Sequence, residues 1–235
     1  EIDTNGIGYL ELLFDMKHIP EELISYMGIL KSVLGYVDTE HYDYGDLFNE
    51  INARSGGIMF GISVFTDSKD NQKFTPMAGI KAKALYKDIP FVFEMIKEIL
   101  KTSKLDDEKR LYEIIAKMKS RLQMGLVSSG HTTAAMRALS YFSAGSCFQE
   151  KISGVDFYQL INDIEENFEQ RKADVIAKLK ELMGCVFRAE NLMVSYTSEE
   201  KGYEGLEKEI EEFKEILYTG EQQTSVSYSS CVVKN

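Results

Sequence analysis

The sequence has no tryptophan and only three residues each of cysteine, histidine and proline. Cys147, Cys185 and Cys231 are widely spaced and form neither an even disulfide framework nor a Cys-x-x-Cys pair. This usage favours a reducing compartment, so we expect the protein in the cytoplasm or in an organelle matrix. No apolar run approaches the roughly 18 residues that span a bilayer. The chain opens at Glu1 without a signal-peptide pattern and runs at once into strand-like sequence, so we expect a soluble segment of a longer protein.

Negative charge outnumbers positive charge. The chain carries 27 Lys and Arg residues against 38 Asp and Glu, a formal net charge of −11. Phosphate contacts need clustered Lys and Arg, so this balance argues against nucleic acid and anionic membranes as partners. With 44% hydrophobic and 11% aromatic residues, the composition is that of a globular protein and excludes disordered and collagen-like classes.

The first half of the chain alternates between strand and helix patterns. The polar turn between the second and third predicted strands is too short for a parallel crossover, so those strands should pair antiparallel. We expect helices beside a meander. Strands are predicted at 8–14, 58–64 and 80–84, and helices at 20–35 and around 47–51.

The second half is mostly helical, because its apolar residues recur at i, i+3, i+4 and i+7. The segments indicate an α+β fold, with a mixed or antiparallel sheet, helices packed on it and a helical second half. From Thr219 the periodicity vanishes, which predicts a domain over 1–218 and a linker or tail over 219–235. Helices are predicted at 90–100, 111–122, 157–168, 175–186 and 206–217, and a strand at 192–197.

The histidines form no recognisable metal-binding motif. His18, His41 and His131 are far apart in sequence, so no local zinc motif such as His-x-x-x-His exists. Glu40-His41 comes nearest to an inverted His-x-x-Glu-His motif, but Val37 stands where the first histidine is required. A surface turn is therefore the favoured interpretation of this dipeptide.

Two further residues leave alternatives open. His131 follows Ser-Ser-Gly at a predicted helix start and is either a catalytic base or part of the helix entry. Cys147 is either a nucleophile paired with it or a small packed residue. We favour the structural interpretation of both, and we interpret the Glu-rich segment 204–215 as a solvated helix face rather than a cation site. The sequence thus assigns no catalytic, cofactor-binding or metal-ligating residue.

The order of several short strings resembles the insulinase or pitrilysin zinc metallopeptidases, and in particular their presequence-protease branch. The resemblance covers roughly residues 3–217. Its second part looks like the peptidase-associated segment of that branch. The strings are Thr-Asn-Gly-Ile at 4–7, Phe-Asp at 14–15, Ile-Pro-Glu-Glu-Leu at 19–23, Leu-Gly at 34–35, Asp-Thr-Glu at 38–40, Glu-Ile-Asn at 50–52, Gly-Gly-Ile at 56–58, Ser-Gly-His at 129–131 with Ala-Ala at 134–135, and the helical hairpin 154–183.

The resemblance implies one unit of a larger peptidase. Members of the family are similar to two clamshell halves, each holding two related α+β domains around a chamber for unfolded peptides, with zinc in the first domain. This chain looks like the third domain, in which Met27, Leu30 and Lys31 stand where the His, Glu and His of the inverted motif would be. Those residue types cannot bind zinc and activate water together. The implied partners are the other peptidase domains and an unfolded peptide, with no cofactor in this segment and zinc in the longer protein.

Two alternatives belong to other classes. One is a stand-alone interaction scaffold that has the same fold and no peptidase activity. The other is an independent enzyme that uses Cys147 or His131, which would turn over substrate alone and lose activity on Cys147→Ala. The resemblance favours the non-catalytic chamber domain, so we expect this segment by itself to be inactive.

Overall fold

The computed structural model describes residues 3–220 and 228–229, and within them the strands form one four-stranded antiparallel sheet in the order β2-β3-β1-β4. All the strands predicted from the sequence are present, and β3 is longer than predicted. The bounds are β1 Ile7–Asp15, β2 Ile58–Thr66, β3 Phe74–Leu85 and β4 Leu192–Thr197.

The sheet is not the meander that the sequence suggested. β2 and β3 form the predicted antiparallel hairpin, but β1 lies between β3 and β4 and pairs with both. The hydrophobic pattern of a strand indicates which of its faces is buried, but not which strands lie beside it. The position of β1 between β3 and β4 could therefore not be predicted from periodicity. Among the described residues, the last strand, β4, therefore lies at the edge of the sheet beside the first strand, β1.

Helices account for most of the chain and cover one face of this sheet. The α+β class predicted from the sequence is confirmed, as are the helices it expected. Two helices, α5 and α6, fill the region between the predicted segments. The bounds are α1 Ile24–Val33, α2 Tyr44–Arg54, α3 Ile89–Thr102, α4 Glu108–Ser128, α5 Gly130–Ser140, α6 Ala144–Ser153, α7 Val155–Glu166, α8 Phe168–Val186 and α9 Leu206–Ile216.

Local sequence explains several helix ends. The Asp43 carboxylate accepts hydrogen bonds from the backbone N–H groups of the first turn of α2, and Asp107 does the same for α4. Such caps satisfy donors that have no partner within the helix. At the other end of α1, Gly35 has a φ of 81°, a left-handed conformation that favours glycine and ends the helix as predicted.

The core lies between the sheet and the helices. Leu10, Leu12 and Phe14 of β1 point into it and pack with residues of the helices. The alternate residues of β1, Tyr9 and Glu11, point to the other side, which we call the open face of the sheet. On that face Glu11 stands opposite Lys81 of β3, and their side chains form an ion pair of 2.9 Å.

One residue of the predicted tail packs against this body. The Tyr228 ring lies 5.8 Å from the ring of Phe74 and 5.6 Å from that of Phe148, measured between centroids. Its hydroxyl donates a hydrogen bond of 2.6 Å to the carbonyl oxygen of Ile19. Residues 221–227 and 230–235 of the tail, which include Cys231, lie outside the described residues.

Candidate functional site

Helix α1 occupies the position at which the family resemblance would put a zinc-binding helix. Met27 is 2% exposed and Leu30 is fully buried, and both belong to the hydrophobic core. Lys31 follows on the same helix, where burial lowers the pKa of its ammonium group. Zinc sites in proteins are built from Cys, His, Asp and Glu side chains, and none of these three residues is of those types, so they do not fit a zinc site.

The described residues also contain no group of three or more His, Cys, Asp and Glu side chains arranged to hold a metal ion. The three histidines are in separate environments. His18 is half-buried just after β1, His41 is exposed in the loop before α2, and His131 is exposed in the first turn of α5. The helix entry predicted around His131 is therefore what the structure has.

His41 forms an ion pair with a carboxylate of α3. Its Nδ1 lies 3.0 Å from Glu98 Oε2, and its backbone N–H donates to Glu98 Oε1 at the same distance. Burial by itself would raise the pKa of the Glu98 carboxyl, but hydrogen bonds from Thr39, His41 and Thr102 outweigh it and lower that pKa to about 2. Hydrogen bonding to the carboxylate and its charge raise the pKa of His41. The arrangement ties a surface loop to α3, which agrees with the predicted surface turn.

The cysteines that the structure describes lie on helices. Cys147, on α6, is 3% exposed. Cys185, near the end of α8, is half-buried, and burial raises the pKa of its thiol. A raised pKa lowers the thiolate fraction at neutral pH, which is the opposite of what a nucleophilic cysteine needs.

An acidic groove of about 630 Å³ runs between α4 and the junction of α7 with α8. Two aromatic rings, Tyr112 and Phe168, form its apolar part and pack edge to face at 5.1 Å. The sequence does not predict this groove, because its lining residues come from distant segments of the chain. Its charged lining residues are Glu108, Lys109, Glu165, Glu166 and Glu169.

Lysines neutralise much of the groove's negative charge. The Lys119 ammonium lies 2.9 Å from Glu165 and 3.7 Å from Glu166. The Lys172 ammonium pairs with Glu108 at 2.7 Å and with Glu169 at 2.9 Å. These contacts raise the pKa of both lysines, so the ammonium groups stay charged. The carboxylates of Glu108, Glu165, Glu166 and Glu169 are therefore already engaged in ion pairs.

The open face of the sheet is a second broad surface. On this face, one row across the four strands consists of Met59, Lys81, Glu11 and Ser195, which are register partners. Gly61, Gly79, Leu13 and Met193 form the next row, in which Met193 is 59% exposed. Alternating polar and apolar rows without a deep cleft are typical of a contact surface rather than of a catalytic centre.

Comparison with known proteins identifies the class. A family model described as peptidase M16C associated matches residues 1–164. The chain therefore belongs to the peptidase M16C-associated family, which confirms the resemblance drawn from its short strings. Among individual relatives, Protein HypA of Clostridium perfringens is 36% identical over 210 residues, which are 89% of this chain and 21% of that protein.

Mitochondrial presequence proteases are also related. The Drosophila melanogaster protein is 26% identical over 228 residues, covering 96% of this chain and 22% of that protein. The Danio rerio protein is 23% identical over 213 residues, covering 91% and 21%. The chain thus spans about a fifth of the length of these curated relatives. It is a peptidase-associated domain related to presequence proteases.

A solved structure supports the fold alone. The crystal structure of a conserved protein from Enterococcus faecalis V583 superposes with a TM-score of 0.62 at 14% identity, over 95% of this chain and 50% of that one. Within the described residues, no helix is both long enough and apolar enough to pass through a membrane.

Proposed function

We propose that this chain is a non-catalytic domain of a longer zinc metalloendopeptidase that degrades unfolded peptides. In that enzyme it would form one wall of the chamber that holds the peptide. The observation that carries the proposal is helix α1, whose Met27 and Leu30 lie in the core where a catalytic domain would need zinc ligands and a general base. The relationship to presequence proteases supports the same function. In this proposal the zinc is held by another domain of the longer protein.

The domain would contribute to the activity by contacting the neighbouring domains and the peptide, and not by catalysing a step. Its open sheet face and acidic groove offer broad surfaces to neighbouring peptidase domains and to an extended peptide. The stand-alone scaffold is not favoured, because the relatives that match nearly the whole chain are about five times as long. No residue of this segment is assigned a catalytic role.

The test uses the longer protein that contains this segment. Deleting the segment should abolish cleavage of an unstructured fluorogenic peptide, and adding the 235-residue chain in trans should restore part of it. A matched variant of the longer protein, His131→Ala, should keep kcat/KM within about twofold, since an exposed residue without a catalytic role contributes little. Full activity after deletion would refute the wall-forming role, and loss of activity in His131→Ala would refute the non-catalytic one.

A further inference from the structure

Tyr228 joins the tail to three parts of the body. Its ring packs against Phe148 of α6 and Phe74 of β3. Its hydroxyl donates a hydrogen bond to the carbonyl oxygen of Ile19, between β1 and α1. Burial raises the pKa of this phenol, so the hydroxyl stays protonated and remains a donor. The tail therefore has a defined docking position beside α6.

A cysteine lies next to this contact, because Cys147 directly precedes Phe148 in α6. Cys147 is 3% exposed, and its sulfur takes part in a disulfide bond. Cys185 is a free thiol. Since the sequence has three cysteines in total, Cys231 is the residue of this chain that can supply the second sulfur.

The length of chain between Tyr228 and Cys231 permits this pairing. Extended backbone advances about 3.3–3.6 Å per residue, so the three steps from one to the other span up to about 11 Å. A disulfide requires Cα atoms about 4.4–6.8 Å apart. The rings of Tyr228 and Phe148 are 5.6 Å apart between centroids, so the tail starts from a point close enough to Cys147.

A groove of about 510 Å³ lies beside the docked tail, at the end of the β2–β3 hairpin. Tyr228 forms one of its walls, and the rest of its lining includes Phe65, Phe74, Lys17 and Lys73. Any movement of the tail away from α6 would remove the Tyr228 wall. The position of the tail therefore sets the shape of this groove.

We propose that Cys147 and Cys231 form a redox-sensitive disulfide that fastens the tail to α6 and thereby controls the groove. In the oxidised form, the bond holds Tyr228 in place as a wall of the groove. In the reduced form, the noncovalent contacts of Tyr228 must hold the tail, and the groove opens whenever they break. The proposal is independent of the peptidase function.

The bond forms by exchange with a low-molecular-weight disulfide such as oxidised glutathione. The Cys231 thiolate attacks one sulfur of this oxidant, which releases one small thiol and leaves a mixed disulfide on Cys231. The Cys147 thiolate then attacks Cys231 Sγ and releases the second small thiol. The two cysteines lose two electrons, which reduce the oxidant, and their two protons pass through water to the released thiols. In the reducing compartment that the composition favours, the bond would form only as oxidised glutathione accumulates.

The first experiment equilibrates the 235-residue chain with oxidised or with reduced glutathione and measures its intact mass. The oxidised chain should be about 2 Da lighter, because two thiol hydrogens are lost. A nonreducing protease digest should contain one linked pair of peptides that carry Cys147 and Cys231. An oxidised chain that keeps its full mass, carries glutathione adducts instead or links Cys185 would overturn the proposal.

Serine variants assign the bond to its two residues. Cys231→Ser should abolish the loss of about 2 Da, and Cys185→Ser, the matched control, should retain it. In the unmodified chain, oxidation should raise the melting temperature by roughly 5 °C or more, because the bond closes a loop of about 84 residues. The same rise in Cys231→Ser would contradict the assigned pair.

Hydrogen exchange tests whether the bond fastens the tail. Backbone amides around Tyr228 should exchange roughly tenfold or more slowly in the oxidised chain than in the reduced chain, because local opening is then restricted. Cys231→Ser should show the faster exchange under both conditions. Equal exchange in the two forms of the unmodified chain would refute control of the groove by the bond.

Discussion

Glu98 and His41 are the pair of residues whose ionisation the fold changes together. The Glu98 carboxyl pKa is lowered to about 2 and the His41 pKa is raised. A lowered carboxyl pKa stabilises the folded chain above the usual value of 4.5, and this contribution is lost as the pH falls toward 2. A raised histidine pKa stabilises below 6.5, and that contribution is lost as the pH rises through the folded-state value.

The stabilisation from the ion pair should therefore be greatest between about pH 5 and 6. We expect His41→Gln to lower the melting temperature in that range, and to lower it less as the pH rises above the folded-state pKa of His41. An NMR titration of the His41 ring should give a pKa above the ordinary 6.5. Glu98→Gln is the control, in which the histidine pKa should return toward its ordinary value. A His41 pKa at or below 6.5 in the unmodified chain would contradict the assignment.

Gly28 allows α1 to approach α6 and α7 closely. A Cβ built there would lie 2.6 Å from Phe157 Cε2 and 2.7 Å from the carbonyl oxygen of Ile152. We therefore expect Gly28→Ala to lower the free energy of unfolding by about 1–3 kcal/mol through overpacking. Gly125→Ala is the matched control in another helix, where the methyl group meets open space and should raise stability by up to about 1 kcal/mol. Urea unfolding measures both, and equal effects of the two variants would contradict this packing.

At the scale of elements, the acidic helix α9 is attached through its buried stripe. Phe213 is fully buried, and its ring lies 5.8 Å from that of Phe93 on α3, measured between centroids. Glu212 of α9 also pairs with Lys97 of α3 at 3.6 Å, but such a solvent-exposed ion pair contributes little to stability. The helix should therefore depend on this aromatic pair for its position.

We expect Phe213→Ala to lower the free energy of unfolding by about 3–5 kcal/mol, the usual cost of truncating a buried phenylalanine. Glu215→Ala, on the exposed side of the same helix, should change it by less than about 0.5 kcal/mol. Guanidinium unfolding followed by circular dichroism measures both. Similar effects from the two variants would mean that α9 is not held by its buried face.

The hydrophobic periodicity of the sequence predicted most of the helices and strands, because each of them has a continuous buried face. β4 was predicted with its observed bounds, and the stripes of α3, α4, α7 and α8 were recognised. α6 was not predicted, and it has a glycine near its start. That glycine, Gly145, packs against β2, where a Cβ would lie 3.0 Å from Thr66 Cγ2. Tertiary packing here outweighs intrinsic propensity.

The candidate surfaces were less predictable than the fold. Met27 and Leu30 could be recognised as core residues from the apolar stripe of α1. Their burial in the core is the reason that this helix does not fit a zinc site. The acidic groove could not be predicted, because it joins residues from separate helices that only the tertiary structure brings together. A single sequence does not indicate which side chains from distant segments lie close together in the folded protein.

At the scale of the whole molecule, the net charge of −11 favours basic partners. We expect the longer protein to bind an unfolded basic peptide, such as a targeting presequence, more tightly than an acidic peptide of equal length. The difference should shrink as salt is raised, because screening weakens contacts between exposed charges. Fluorescence anisotropy with the two labelled peptides measures it. Near-equal affinities at low salt would count against an electrostatic contribution from this domain.

We infer that this segment is not itself the peptidase. The most direct test incubates the purified 235-residue chain with an unstructured fluorogenic peptide, with and without added zinc, beside a complete presequence protease under the same conditions. We predict no cleavage above buffer by the chain in either case, and cleavage by the complete enzyme. Zinc-dependent cleavage by the chain alone would contradict the account and would require a metal site among its own residues.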